Sequence, residues 1–314
     1  MDNTVLCVVG PTACGKTKMG VALARRFHGE VVSVDSMQLY RGMAIGTAAP
    51  TAEEMEGIPH HMVAVADPRE SWSAARYAAE ADKCVQDILR RGKRPVLVGG
   101  TGLYLDALVR GTDFAAGSQG GAIRQQLQQR VEHQGAAALL AELQTIDPAA
   151  AARLHLRDEK RIVRALEVYY ETGETITEHD RKSRETPPRY RALRIGLAFR
   201  DRADMWARID RRVDDMVAQG LLQEVETLLQ SGLPRDATAL QAIGYKQFLA
   251  VAEERATVDE AIAEVKLRSR QYAKRQLTWL RRDEDIHWIL WEKTPDFPAG
   301  LQNATEFLLS AGVC

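Results

Sequence analysis

The chain has 314 residues, 45% of them hydrophobic, with 42 Lys and Arg against 43 Asp and Glu for a net charge of −1. That length supports one large or two smaller domains, and the balanced charge excludes a global pull toward nucleic acid or membrane, so any such partner must be held by a local patch. Its apolar runs are too short for a transmembrane helix, and Cys7, Cys14, Cys84 and Cys314 lack the C-x-x-C spacing of a disulfide framework or zinc site.

The first element is an apolar run, Thr4 to Val9, followed by Gly10-Pro11-Thr12-Ala13-Cys14-Gly15-Lys16-Thr17. The order is strand, tight loop, helix, and the spacing G-x-x-x-x-G-K-[ST] belongs to a loop that wraps backbone amides around a phosphate. Lys16 supplies a point charge to the outer phosphates and Thr17 a hydroxyl for Mg²⁺. The loop predicts a polyphosphate ligand without choosing between a nucleotide and another diphosphate. Cys14 within it reads as an inert filler, with an oxidation-sensitive thiol as the alternative.

A second buried strand over Glu30 to Val34 ends at Asp35, which places that carboxylate on the rim that carries the phosphate loop. His60-His61 precedes a strand-like Met62 to Val65. Two adjacent histidines cannot face one metal on a strand, so they read as turn or surface residues. A helix over Ser73 to Arg91 leads to a third strand, Pro95 to Val98, that ends in Gly99-Gly100-Thr101-Gly102. Alternating strands and helices predict a parallel, doubly wound α/β sheet. The Gly-Gly-Thr ending stands where many nucleoside triphosphatases carry a Walker-B carboxylate, which argues against a motor or switch ATPase.

Residues 111–121 are small and polar and read as a linker. From there to about Thr177 the pattern is helical with no strand interleaved, and it carries basic residues at Arg153, His155, Arg157, Lys160, Arg161 and Arg164. The sheet resumes over Leu193 to Phe199. The next helix has an inward stripe of Met205, Ile209, Val213, Met216 and Val217, bordered by Arg208 and Arg212, whose bland partners are Asp204 or Asp215. Gln241 to Lys246 reads as a turn into another helix. The last strong feature is a helix from Val258 to Arg282 that carries Lys266, Arg268, Arg270, Lys274, Arg275, Arg281 and Arg282 with no acid after Lys266 until the helix ends. A one-sign run in a neutral chain predicts a phosphate-backbone partner.

Taken together, these residues resemble the bacterial tRNA dimethylallyltransferases, also called tRNA isopentenyltransferases. The resemblance runs nearly end to end: Gly10 to Thr17, Ser33 to Ser36, Gly46-Thr47-Ala48, Pro59-His60, Gly99 to Thr101 with Leu103-Tyr104, Arg161 with Arg164 to Val168, Gly244-Tyr245, and Lys274 to Arg281. Ala49 stands where a lysine is common, and His155-Leu156-Arg157-Asp158 replaces His-Pro-Asn-Asp.

The resemblance implies a P-loop, nucleotide-kinase-like parallel sheet flanked by helices, with residues 1–114 and 186–314 as the core and 115–185 as an all-helical insertion for tRNA. It also implies transfer of a dimethylallyl group from dimethylallyl diphosphate to N6 of the adenosine 3′ of the anticodon, with Mg²⁺, by a cytoplasmic monomer that contacts no membrane. On the same resemblance Asp35 is the base, Thr101, Arg124 and Arg212 surround the reacting diphosphate, and residues 10–17 bind it. The tRNA anticodon stem-loop then meets Asp35, Ser36, Met37 and Gln38, the insertion residues Lys160, Arg161, Ile162, Val163 and Arg164, then Gln241, Gly244, Tyr245 and Lys246, and finally Lys274, Arg275, Gln276, Trp279 and Arg281. The competing readings are a P-loop small-molecule kinase that binds ATP, an adenylate isopentenyltransferase, and a non-catalytic RNA-binding module.

Overall fold

The computed structural model describes residues 3–111 and 121–314. The chain packs as two compact units, Met1–Gly111 with Arg189–Cys314, and Thr112–Pro188. In the first unit β1 (Thr4–Val9), α1 (Lys16–Arg26), β2 (Gly29–Val34), the short α2 (Ala44–Thr47) and α3 (Ala52–Met55), β3 (His60–His61), α4 (Ala74–Arg90), β4 (Arg94–Gly99) and α5 (Gly102–Arg110) precede the insertion. The insertion holds α6 (Ala122–Ile146), α7 (Pro148–Ala151), α8 (Glu159–Thr172) and α9 (Ile176–Glu185). After it come β5 (Arg191–Phe199), α10 (Arg202–Ala218), α11 (Leu221–Gln230), α12 (Tyr245–Ala252), α13 (Val258–Leu280), β6 (Ile286–Trp291) and α14 (Phe297–Ser310).

The six strands run in the order β3-β2-β4-β1-β5-β6, and every pairing is parallel. Because side chains alternate across a strand, Val5, Cys7 and Val9 of β1 enter one hydrophobic layer while Leu6 and Val8 enter the other. Both faces are therefore covered, as a buried parallel sheet requires. Gly99 lies opposite both Val9 and Val34. The three strands thus end level, and Gly10, Asp35 and Gly100 leave the sheet side by side.

The insertion has its own core, built on Leu127, Leu139, Leu143, Ile162, Val163 and Leu166. Its first helix breaks at Gly135, where φ is 78°. Most of the linker expected around residues 111–121 lies outside the described residues.

Two local expectations are corrected. Residues 62–65 do not form a strand: Met62 and Ala64 have positive φ, and the Ala64 amide donates to the Gln38 carbonyl, so the segment follows the loop after β2. Instead His60 and His61, expected as turn or surface residues, are half-buried and pair with Val31 and Val32 of β2. The edge strand β6 was not foreseen, since Ile286 to Trp291 mixes buried, half-buried and exposed positions without alternation.

Candidate active site

The phosphate loop is shaped by unlike residues at its two ends. Gly15 has φ of 90° and stands immediately before α1, whose first turn carries no acid and no side-chain cap. Uncapped amides and the helix dipole leave that end positively polarised. Side chains from distant elements hold the loop carbonyls: Arg208 Nε donates to Ala13 O at 3.1 Å and Trp291 Nε1 to Cys14 O at 3.0 Å. A trans peptide points its amide opposite its carbonyl, so the amides that follow face away from these donors. Lys16 Nζ donates to Pro11 O at 2.7 Å. Cys14 is fully buried, and burial pushes its thiol above the usual range, which leaves it the inert filler.

Burial pulls the Lys16 ammonium below its ordinary value and acts likewise on the Arg212 guanidinium; the Arg212 charge adds to the effect on Lys16, and Asp35 opposes it at both. Neither makes a direct ion pair among the described residues. Two desolvated cations facing one carboxylate favour an incoming polyanion.

Asp35 Oδ1 accepts from the Met37 amide at 2.9 Å and the Gln38 amide at 3.3 Å. This turn fixes the carboxylate while leaving Oδ2 without a hydrogen bond among the described residues. The Ser36 amide donates to Thr101 Oγ1 at 3.3 Å, which joins the loops after β2 and β4. A cavity of about 310 Å³ opens at this rim. Thr12, Asp35, Ser36, Met37, Arg212, Gln241 and Arg275 line it, together with an apolar wall of Ile209, Val213, Met216, Ile243 and Val265.

Two residues that the sequence did not mark as supports hold this cavity in shape. Glu224 accepts from the Ile45 amide at 2.9 Å, the Gly46 amide at 3.0 Å and the Tyr245 hydroxyl at 2.5 Å. It caps α2 and so fixes the Gly46-Thr47 edge. Gln276 of α13 accepts from the Thr12 amide at 3.0 Å and donates to Gly100 O at 3.0 Å. A Cβ at Gly100 would come within 2.2 Å of that Gln276 amide nitrogen, so any larger residue there would displace the Gln276 side chain from these bonds. The Glu224 contacts to α2 and the Gln276 contact to Gly100 are not visible to local pattern, because those partners lie 176 or more residues apart.

Several expected RNA contacts are placed differently. Gln276 and Tyr245 are buried, and their polar atoms bond within the protein. Gln38 is likewise engaged, with Ser33 Oγ donating to its Oε1 at 2.9 Å and its Nε2 donating to Ala48 O at 3.2 Å. Ile162 and Val163 belong to the insertion core, whereas Lys160 and Arg161 are exposed. Arg124 and Arg164 are insertion residues beside the fully buried Glu167, at 3.8 Å and 2.8 Å. Lys246, Lys274, Arg275, Trp279 and Arg281 are exposed, and Gly244 introduces α12 with φ of 98°.

The bland pairing of Arg208 and Arg212 with Asp204 or Asp215 does not form. The acids of α10 instead reach α13: Asp214 to Lys266 at 2.6 Å, and Asp210 to Arg270. Near His155, the Asp158 carboxylate accepts from the His155 amide at 3.0 Å, so this turn is closed by Asp158 despite the changed residues between them.

A parallel sheet in this order, an uncapped helix after the Gly10–Thr17 loop and an all-helical insertion define a P-loop α/β class with a carboxylate-marked cavity beside the loop. Residues 38–283 match the profile of the IPP transferase family, and the chain belongs to that family. It is 40% identical over 313 residues to a tRNA dimethylallyltransferase of Acetivibrio thermocellus, covering 100% of this chain and 99% of that one. It is 45% identical over 289 residues to one from Halalkalibacterium halodurans, covering 92% and 91%. A solved full-length tRNA isopentenylpyrophosphate transferase from Bacillus halodurans is 38% identical with a TM-score of 0.71 over 99% of both chains. A eukaryotic dimethylallyltransferase captured acting on tRNA is 30% identical, with a TM-score of 0.80 over 97% of this chain and 77% of that one.

Proposed function

We propose that this chain transfers a dimethylallyl group from dimethylallyl diphosphate to N6 of the adenosine 3′ of the anticodon in tRNA and releases pyrophosphate, as a cytoplasmic monomer. The observation that carries the reading is a cavity lined by Thr12 of the phosphate loop, by Arg212 and the Asp35 carboxylate, and by an apolar wall. A kinase site needs no apolar wall of Ile209, Val213 and Met216 beside its phosphates; a five-carbon tail does.

An exocyclic purine amine is a weak nucleophile because its lone pair is delocalised into the ring. The allylic C–O bond must therefore be well advanced in breaking before attack, and the departing diphosphate carries the growing negative charge. Preorganised amides of residues 13–17, Lys16 and Arg212 stabilise that charge without reorganising. The N6 lone pair forms the new C–N bond as the C–O electrons leave with pyrophosphate, and the N6 proton passes to Asp35. The amine becomes acidic as its nitrogen takes on positive charge, so a carboxylate is a strong enough base. An adenine stacked in a loop cannot reach this cavity, so the base is extruded to it.

Thr17 opens α1 beside Lys16, and its hydroxyl makes no hydrogen bond among the described residues. No group of three or more His, Cys, Asp or Glu able to hold a metal occurs among them either. That donor set suits Mg²⁺, which takes few protein ligands and completes its shell with phosphate oxygens and water. When bound, it supplies charge neutralisation to the diphosphate.

Equilibrium binding with Mg²⁺ tests the reading. Dimethylallyl diphosphate is expected to bind at least tenfold more tightly than ATP, and Met216→Asp is expected to abolish that preference. Tighter ATP binding would replace this reading with the kinase.

A further inference from the structure

The helix α13 serves two cavities. Val265, Ser269, Tyr272 and Arg275 face the cavity described above, whereas Arg270, Lys274, Leu277 and Arg281 face a second one of about 380 Å³, at the amino-terminal end of α10. At 100° per residue these two sets lie on opposite sides of the helix. The Asp210–Arg270 pair ties α10 to α13 between them.

The second cavity has an apolar floor in Phe199, Met205 and Leu277 and a tryptophan on its wall. Trp206 is 39% exposed, and the guanidiniums of Arg202 and Arg270 each stand 5.8 Å from its ring centroid. Of the lining cations, Arg200 and Arg270 pair with Glu292 and Asp210. Arg202, Lys274 and Arg281 have no carboxylate partner among the described residues. No acid lines the cavity.

An exposed indole flanked by guanidiniums, above an apolar floor and under a rim of unpaired cations, suits one chemical class: a flat aromatic group carrying phosphate. We infer that this cavity takes a second nucleotide of the RNA, one other than the acceptor, with its base stacked on Trp206 and its phosphate on Lys274 and Arg281. The inference rests on the reading of RNA as the acceptor. A helix is about 10 Å across, so the two cavities are within reach of one RNA strand. Stacking on an aromatic side chain adds affinity with little sequence preference, and the rim cations add salt dependence.

The test uses the full chain, Mg²⁺, dimethylallyl diphosphate and an anticodon stem-loop RNA. Trp206→Ala is expected to raise the KM for RNA about tenfold, with kcat and the KM for dimethylallyl diphosphate unchanged. Trp206→Phe is expected to restore most of the loss, and Arg202→Ala to lower the slope of log affinity against log salt by about one. On the unaltered protein, RNA carrying 4-thiouridine at single loop positions is expected to crosslink under ultraviolet light to the peptide that contains Trp206. Wild-type RNA affinity in Trp206→Ala, or no crosslink from any position, overturns the inference. So does uridine monophosphate that quenches Trp206 equally with and without saturating RNA, because the cavity would then take a free nucleotide. If the wild-type protein transfers no prenyl group to RNA, the functional reading fails instead; transfer by wild type with an indifferent Trp206 removes the second nucleotide alone.

Discussion

The phosphate loop and the basic half of α13 both carry excess positive charge in the sequence, and the fold treats them in opposite ways. At the loop, Lys16 and Arg212 are left desolvated and without a direct ion pair among the described residues, with Asp35 the acid that acts on both. Along α13, Lys266, Arg268 and Arg270 are answered by Asp214, Glu264 and Asp210, while Lys274, Arg275 and Arg281 are not. A one-sign run in sequence is therefore not a one-sign surface. Charge left uncompensated by the fold marks where an anion is expected, and here it separates three cations from three others on the same helix.

The comparison breaks first at the loop. Lys16→Ala is expected to lower turnover about 10²- to 10³-fold, the cost of losing one preorganised charge at a departing anion. Asp35→Ala is expected to lower it about 10²- to 10⁴-fold while RNA affinity stays within a few fold. Equal loss of turnover and RNA affinity would contradict a base role. Gln276 links the two regions, since it joins α13 to the Thr12 amide and Gly100 carbonyl. Gln276→Leu is expected to lower kcat about tenfold and weaken diphosphate binding, with RNA affinity little changed, which direct titration of each ligand would separate.

Neutralising Lys274, Arg275 and Arg281 together is expected to reduce the salt slope of RNA binding by about two to three. Neutralising Lys266, Arg268 and Arg270 is expected to leave that slope nearly unchanged and to lower Tm instead. Equal slopes for the two triple variants would erase the distinction.

The smallest effect on activity is expected at Glu30, whose buried carboxylate binds Arg91 at 2.5 and 2.8 Å, Lys93 at 2.7 Å and His61 at 2.8 Å. The Arg91 hydrogen bonds first, then Lys93 and His61, hold it well below the usual carboxylate range. A depressed folded value stabilises above the unfolded carboxyl value near 4.3 and is lost as pH falls below it. Glu30→Gln is expected to lower Tm at pH 7, cost about 3 kcal/mol and flatten the acid limb of the stability curve, with turnover unchanged.

What was legible in the sequence follows from where each contact lies. The loop, the strand ending at Asp35 and the Gly-Gly-Thr ending are local patterns, and the level ends of β1, β2 and β4 bring them together. Glu224, Gln276 and the pairing of α10 with α13 are long-range, so neither period nor spacing announces them. Buried Tyr245 and Gln276 sit inside motifs that resemble a contact region, and only packing shows that their polar atoms are spent within the protein. The strand β6 lacked an alternating pattern because it lies at the sheet edge, where Leu290 stays exposed.

The most direct measurement supplies labelled dimethylallyl diphosphate, Mg²⁺ and unmodified tRNA, then counts pyrophosphate and analyses the nucleosides. One labelled N6-prenylated adenosine per RNA, with one pyrophosphate released for each, is the expected result. Label that stays in the diphosphate while ATP is turned over with a metabolite would contradict the account.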